Sequence, residues 1–162
     1  MITGAKLTAG QKLQAKKLAK SLKGKTPIIV GAEHLFGNAH IMTNQINESA
    51  KQRCYYFALP ELNHHLLEGL SFPQSTKPGL FFLFLASKNY YSRNQKRFDL
   101  TQKVIVKQGI GALKLDLGNS KIKEAMQLLG LGSLLSYELA KINKVEPDQI
   151  PWVNYFKKEL GK

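Results

Sequence analysis

Acidic side chains are scarce in this sequence: 11 Asp and Glu stand against 24 Lys and Arg, a formal net charge of +13 at pH 7. Cysteine is scarcer still. Cys54 is the only one, so no intramolecular disulfide framework can form, and a reducing, cytoplasmic setting is the expectation. Long apolar runs are absent. The longest, Leu80–Ala86, falls well short of the ~20 residues that cross a bilayer, and the first residues lack the apolar stretch of a secretory signal. No phosphate-loop Gly-Lys-Ser/Thr pattern occurs, and Gly109-Ile110-Gly111 and Gly130-Leu131-Gly132 lack the remainder of a dinucleotide fingerprint. His64 and His65 are adjacent, and on a helix they point about 100° apart, a poor geometry for one shared metal. Neither a metal nor an organic cofactor is expected.

What is present is the composition of one globular domain: 162 residues, 43% hydrophobic and 22% charged. The positive charge is uneven. Residues 1–26 carry seven lysines and no acid, and residues 88–107 carry six basic side chains and one acid. Such patches can bind nucleic acid through phosphate contacts. The first has no aromatic residue, and the second has only Tyr90, Tyr91 and Phe98, too few for a regular stacking platform. A solvated lysine face is the preferred reading.

Hydrophobic periodicity alternates between helix and strand. Ala15, Leu18, Ala19 and Leu22 fall at i, i+3, i+4 and i+7, which predicts an amphipathic helix over 8–23 within a basic leading segment, 1–24. Pro27–Val30 reads as a buried strand, 38–51 as a helix with Met42, Ile46 and Ala50 inward, and Cys54–Leu59 as a second strand. Pro60 is expected to open a helix with the stripe Leu62, Leu66, Leu70. Leu80–Ala86 is apolar on both faces, like a central strand of a parallel sheet. Residues 92–108 read as helix, and Leu113, Leu115 and Leu117 as a half-buried strand. Ser120 is placed to cap a helix whose core face is Ile122, Ala125, Met126 and Leu129; Gly130 and Gly132 are expected to interrupt it before another helix over 134–142. A lysine-bearing helix within 143–162 closes the chain, with Trp152, Tyr155 and Phe156 expected against the core or, alternatively, a partner. Four strands separated by helices predict an α/β fold with a mostly parallel sheet.

Two short segments carry candidate chemistry. In Asn47-Glu48-Ser49-Ala50-Lys51, Glu48 sits about 200° around the helix from Ile46, off the core face. It lies near the helix C-terminus, where the macrodipole disfavours a carboxylate. In Leu59-Pro60-Glu61-Leu62-Asn63-His64-His65, His64 is likewise about 200° from Leu62. Each alone reads as a solvated surface residue. Together they resemble the C-terminal half of the bifunctional phosphoglucose/phosphomannose isomerases, a sugar isomerase (SIS) domain. The likeness continues through Lys25-Thr26-Pro27-Ile28-Ile29-Val30-Gly31, the Leu80–Ala86 strand, Val145-Glu146-Pro147 and Val153-Asn154-Tyr155-Phe156-Lys157.

The resemblance implies an SIS-type three-layer αβα sandwich over 1–162 and the isomerisation of fructose 6-phosphate with glucose 6-phosphate or mannose 6-phosphate. Glu48 would move a proton between C1 and C2 through an enediol, a task suited to a carboxylate. His64 would assist ring opening from across a homodimer interface, although His65 follows it directly. Lys157 would reach in from the closing helix to bind substrate and help open the ring. The resemblance also implies a partner, an N-terminal SIS half holding the Ser/Thr-rich phosphate cradle. Without that half the chain is expected to be inactive. The alternatives are a sugar-phosphate-binding SIS module without catalysis and, third, a basic nucleic-acid binder.

Overall fold

The computed structural model describes residues 8–162; the part of the leading segment over 1–7 lies outside the described residues. The elements in chain order are α1 (Ala9–Leu22), β1 (Thr26–Gly31), α2 (Phe36–Ala50), β2 (Tyr55–Ala58), α3 (Leu62–Gly69), β3 (Leu80–Ser87), α4 (Ser92–Lys107), β4 (Gly111–Leu117), α5 (Lys121–Asn143) and α6 (Pro151–Leu160). The four strands form one parallel sheet in the order β2-β1-β3-β4. Helices α1, α2 and α5 pack together on one face, and α3 and α4 on the other. The result is the three-layer αβα sandwich.

Burial follows from strand position. The internal strand β1 buries Ile28, Ile29 and Val30, and its neighbour β3 buries Phe82, Leu83, Phe84 and Leu85. The rings of Phe82, Phe84 and Phe98 join the sheet to α4, with centroids 6.1 and 6.0 Å apart for the successive pairs. Full burial of such a side chain contributes about 1.5–3 kcal/mol. Helix α1 buries the expected Ala15, Leu18, Ala19 and Leu22, and Thr8 caps it through a reciprocal bond with Gln11. Cys54 is buried and hydrogen-bonded to Thr43. Desolvation pushes its thiol up to about 12, which leaves it a packing residue without thiolate reactivity.

Several expectations are corrected. The helix after Pro60 begins at Leu62 rather than at the proline; Asn63 and His64 donate to the Pro60 and Glu61 carbonyls in a lead-in turn. Gly130 and Gly132 do not break α5, which runs unbroken for 23 residues. Gly132 is instead a point of close approach: a Cβ there would collide with Oε1 of Gln45 on α2. The core face of α5 is also different. Ile122 and Met126 are 77% and 62% exposed, while Leu128, Leu131, Leu135 and Leu139 are buried. The stripe is set by the α1/α2 layer against which α5 packs; Ile122 and Met126 lie on the solvent face of its start, where Glu124 is the buried residue. Ser120 occupies the N-cap, but its side chain makes no capping bond. The closing helix is confined to Pro151–Leu160 and buries none of its residues. Trp152, at 82% exposure, Tyr155 and Phe156 therefore do not cover the core.

Candidate active site

In a parallel α/β sandwich the helices run against the strands, so α2 and α5 both start where strands end and finish where strands begin. Glu48 lies in the last turn of α2, at the edge where the strands start. His64 follows β2 and lies in the first turn of α3, at the edge where they end. The helical rise alone places roughly 18 Å between the beginning of α2 and Glu48. The structure thus brings Glu48 and Lys157 together and leaves His64 apart. Glu48 and Lys157 line one open cleft of about 750 Å³ between the end of α2 and the start of α6, together with Asn47, Lys51, Arg53 and Trp152. Lys51 is engaged there with two backbone carbonyls, which leaves Arg53 and Lys157 as two cations lining the cleft beside one carboxylate, a field that suits an anionic ligand.

The residues flanking Glu48 explain how an exposed carboxylate is held. Asn47 pairs with the backbone of Cys54 in both directions, donating at 3.0 Å and accepting at 2.9 Å, which locks the end of α2 to the entry of β2. Ala50 is buried under the helix. Asn143, from the end of α5, donates to the Ala50 carbonyl. Lys51 ends α2 in the left-handed region at φ 52°. The Asn-Glu-Ser-Ala-Lys segment is therefore a frame around Glu48.

On the other edge, Asn63 donates to Thr101 on α4 at 2.7 Å and so fixes α3, leaving His64 and His65 exposed. His65 lies 3.6 Å from the Glu61 carboxylate and its ring 6.2 Å from that of Phe57. His64 thus remains the histidine less engaged with its own chain.

One constellation is not legible from motifs. In an open parallel sheet, ligands usually sit outside the strand ends where chain connections diverge, here between β1 and β3. That crevice is filled from within. Glu124, in the first turn of α5, is wholly buried. Its carboxylate accepts from Ser87 Oγ at 2.7 Å and Asn89 Nδ2 at 3.0 Å, and lies 2.9 Å from His34 Nε2. The helix N-terminus favours a negative charge at this position. Next to it, Glu33 at φ 44° accepts from Tyr91 N and Asn94 Nδ2 and so ties the start of α4 to the segment ahead of α2. The available sequence signal is weak: Glu124 falls on the stripe it shares with Leu128, Leu131 and Leu135, and a glutamate at the first turn of a helix is ordinarily read as a solvated dipole partner. Among the described residues, no three His, Cys, Asp or Glu side chains converge as a metal site, and no helix is long and apolar enough to cross a membrane.

A doubly wound αβα domain with an open cationic cleft at the strand-start edge is the class that fold and geometry define. Comparison with solved structures agrees on the fold. A glucose-6-phosphate isomerase like protein from Thermus thermophilus superposes with a TM-score of 0.70 at 16% identity, covering 86% of this chain and 46% of that one. The C-terminal domain of glucosamine-fructose-6-phosphate aminotransferase from Francisella tularensis superposes with a TM-score of 0.67 at 14% identity, over 86% of this chain and 42% of that one. Residues 11–160 match the family described as the bacterial phospho-glucose isomerase C-terminal SIS domain, and the chain belongs to that family. Bifunctional phosphoglucose/phosphomannose isomerases from Aquifex aeolicus and Caldicellulosiruptor bescii are 27% and 29% identical over 93% and 94% of this chain. The chain spans about half of their length, 47% and 45% respectively.

Proposed function

We propose that this chain is the C-terminal part of a cytoplasmic aldose–ketose isomerase that interconverts fructose 6-phosphate with glucose 6-phosphate or mannose 6-phosphate. The observation that carries the reading is the convergence of Glu48 and Lys157 on one cationic cleft, in a chain of the isomerase family. Glu48 takes the proton from the carbon beside the carbonyl and returns it to the neighbouring carbon, passing through an enediol, while a second proton moves from the hydroxyl oxygen of the first carbon to the carbonyl oxygen of the second. One carboxylate serves both directions because the two carbons are adjacent. Lys157 meets the anionic or ring-oxygen end of the sugar from α6. His64, on the opposite edge, cannot join Glu48 within one chain. It serves the cleft of a second copy, where an imidazole exchanges protons with sugar oxygens near neutral pH. No metal or organic cofactor takes part. The phosphate is held by an N-terminal SIS half, so this chain alone turns over little or no substrate.

The test is Glu48→Gln in the complete two-domain protein, read with a coupled assay for glucose 6-phosphate formation. The expected loss is at least about a thousandfold in kcat, the range of an essential acid–base group, with an unchanged melting temperature. Near-normal turnover would remove the assignment, whereas phosphosugar binding without any conversion by the wild type would favour a non-catalytic binding module.

A further inference from the structure

Lysine is an odd choice for the residue that ends α2. At φ 52° the left-handed backbone favours glycine or asparagine, which meet little steric cost there. Lys144 ends α5 in the same conformation, at φ 57°, with no side-chain hydrogen bond among the described residues; Lys51 differs in what its side chain reaches. Lys51 Nζ donates to the Glu48 carbonyl at 2.5 Å and to the Pro147 carbonyl at 3.1 Å. The first acceptor belongs to the residue assigned as the base. The second lies in the 144–150 segment that leads into α6 and hence to Lys157.

The rest of this edge is braced by other side chains. Asn143 bonds both the Ala50 carbonyl and Gln52, and Gln52 bonds the carbonyls of Leu22 and Lys25. Those bonds fix α2 to α5 and to the α1–β1 junction, but none reaches the 144–150 segment. Among the hydrogen bonds of the described residues, the Lys51–Pro147 bond is the side-chain tie between that segment and α2. Helix α6 buries no residue of its own, so packing within this chain does little to hold it. The ammonium also complements the negative end of the α2 dipole, so one group caps the helix and moors the segment that carries its counterpart across the cleft.

We propose that Lys51 is a positioning residue of the cleft, setting the distance and orientation between Glu48 and Lys157. The proposal rests on the isomerase reading above. A misplacement of about 1 Å between reacting groups can lower turnover by two orders of magnitude, so loss of the tie is expected to act chiefly on kcat, with a smaller rise in KM because Lys157 also meets the sugar.

The experiment uses Lys51→Gly, because glycine accepts this backbone conformation without strain and removes only the ammonium and its stem. Hydrogen–deuterium exchange on the 162-residue chain is expected to show amides of residues 145–157 exchanging about tenfold faster, with those of Leu128–Leu139 unchanged. In the complete isomerase, kcat should fall roughly 10- to 100-fold while KM rises only severalfold, at an unchanged or higher melting temperature. Lys51→Arg, which keeps a cation able to reach both carbonyls, should recover most of the rate. Unchanged exchange over 145–157 in Lys51→Gly overturns the proposal. So does faster exchange with normal kcat, which would make Lys51 a brace without a role in the chemistry. If Glu48→Gln is inactive while Lys51→Gly is normal, only this proposal falls. If Glu48→Gln retains turnover, the isomerase reading falls and takes this one with it.

Discussion

At the edge where the strands end, Glu124 is wholly buried and its carboxylate is bonded by Ser87 and Asn89, with His34 against it. At the edge where they begin, Glu48 is exposed, faces Lys157 across an open cleft, and leaves the bracing to its neighbours Asn47 and Lys51. The two glutamates differ in what satisfies them. Glu124 has its donors built in and occupies the crevice where a parallel sheet would ordinarily receive a ligand. Glu48 has its backbone fixed and its carboxylate free. The crevice between β1 and β3 is filled by the chain's own groups, while the cleft at the other edge stands open. Helices α2 and α5 join the two edges. They run parallel from one to the other and are bridged by Asn38 to Ala125, Gln45 to Ser133 and Asn143 to Ala50.

The sharpest break of this comparison is complementation. If His64 serves the cleft of another copy, a Glu48→Gln chain and a His64→Ala chain are each nearly inactive as homodimers of the complete protein. Mixed and reassembled, they form hybrids in which one site has both wild-type groups. Activity should return to about a quarter of the wild-type sites for random twofold assembly. Failure to recover activity, with hybrid formation confirmed by native mass spectrometry, would remove the cross-subunit role of His64.

A smaller effect separates the two carboxylates by stability. Glu124→Ala leaves the hydroxyl of Ser87 and the ring of His34 facing a void, while the exposed Asn89 keeps its bond to the Asn119 carbonyl. The cost of unpaired buried donors is about 3 kcal/mol. Glu48→Ala, on the exposed side, should shift a urea midpoint hardly at all. Equal midpoints for the two variants would mean that the sealed edge is not sealed by Glu124.

The sequence makes the strands and the open cleft more accessible than the sealed one, for physical reasons. Strand identity rests on short apolar runs such as Leu80–Ala86, which have no alternative but burial, and β3 follows that run closely. Glu48, His64 and Lys157 stand out only by resemblance, since each alone is an ordinary exposed residue. Their spacing says nothing of Glu48 and His64 lying on opposite edges, which is a consequence of crossover topology. The face of α5 misleads because its first two turns carry Ile122 and Met126 in helical register with Ala125 and Leu129. Local periodicity cannot reveal which face of the helix start meets the rest of the protein, or that a glutamate replaces an apolar residue on the true stripe. Glycine misleads in the same way. Its helix-breaking tendency is worth roughly 1 kcal/mol, less than the packing of a long helix against two others.

Gly132 supplies the mildest test, and it addresses the connection between the edges rather than either end. Alanine is the better helix former by about 1 kcal/mol, so propensity alone predicts that Gly132→Ala stabilises α5. Packing predicts the reverse, because the new methyl group meets Gln45 Oε1 and approaches Met42; the Gln45 side chain can swing aside only by giving up its bond to Ser133, and overpacking costs about 1–3 kcal/mol. Gly37, near the start of α2, offers an internal control, since a Cβ there meets nothing within 4 Å. Urea denaturation should show Gly132→Ala destabilised by about 1 kcal/mol net and Gly37→Ala unchanged or slightly stabilised. The sign is what matters. Since Gln45 also bonds Ser133 across the same contact, pushing α5 away should loosen the bridge that carries Glu124 at one end and Asn143 at the other. A stabilised Gly132→Ala would mean that the helix pair yields easily at its middle, and that the two edges are held independently of one another.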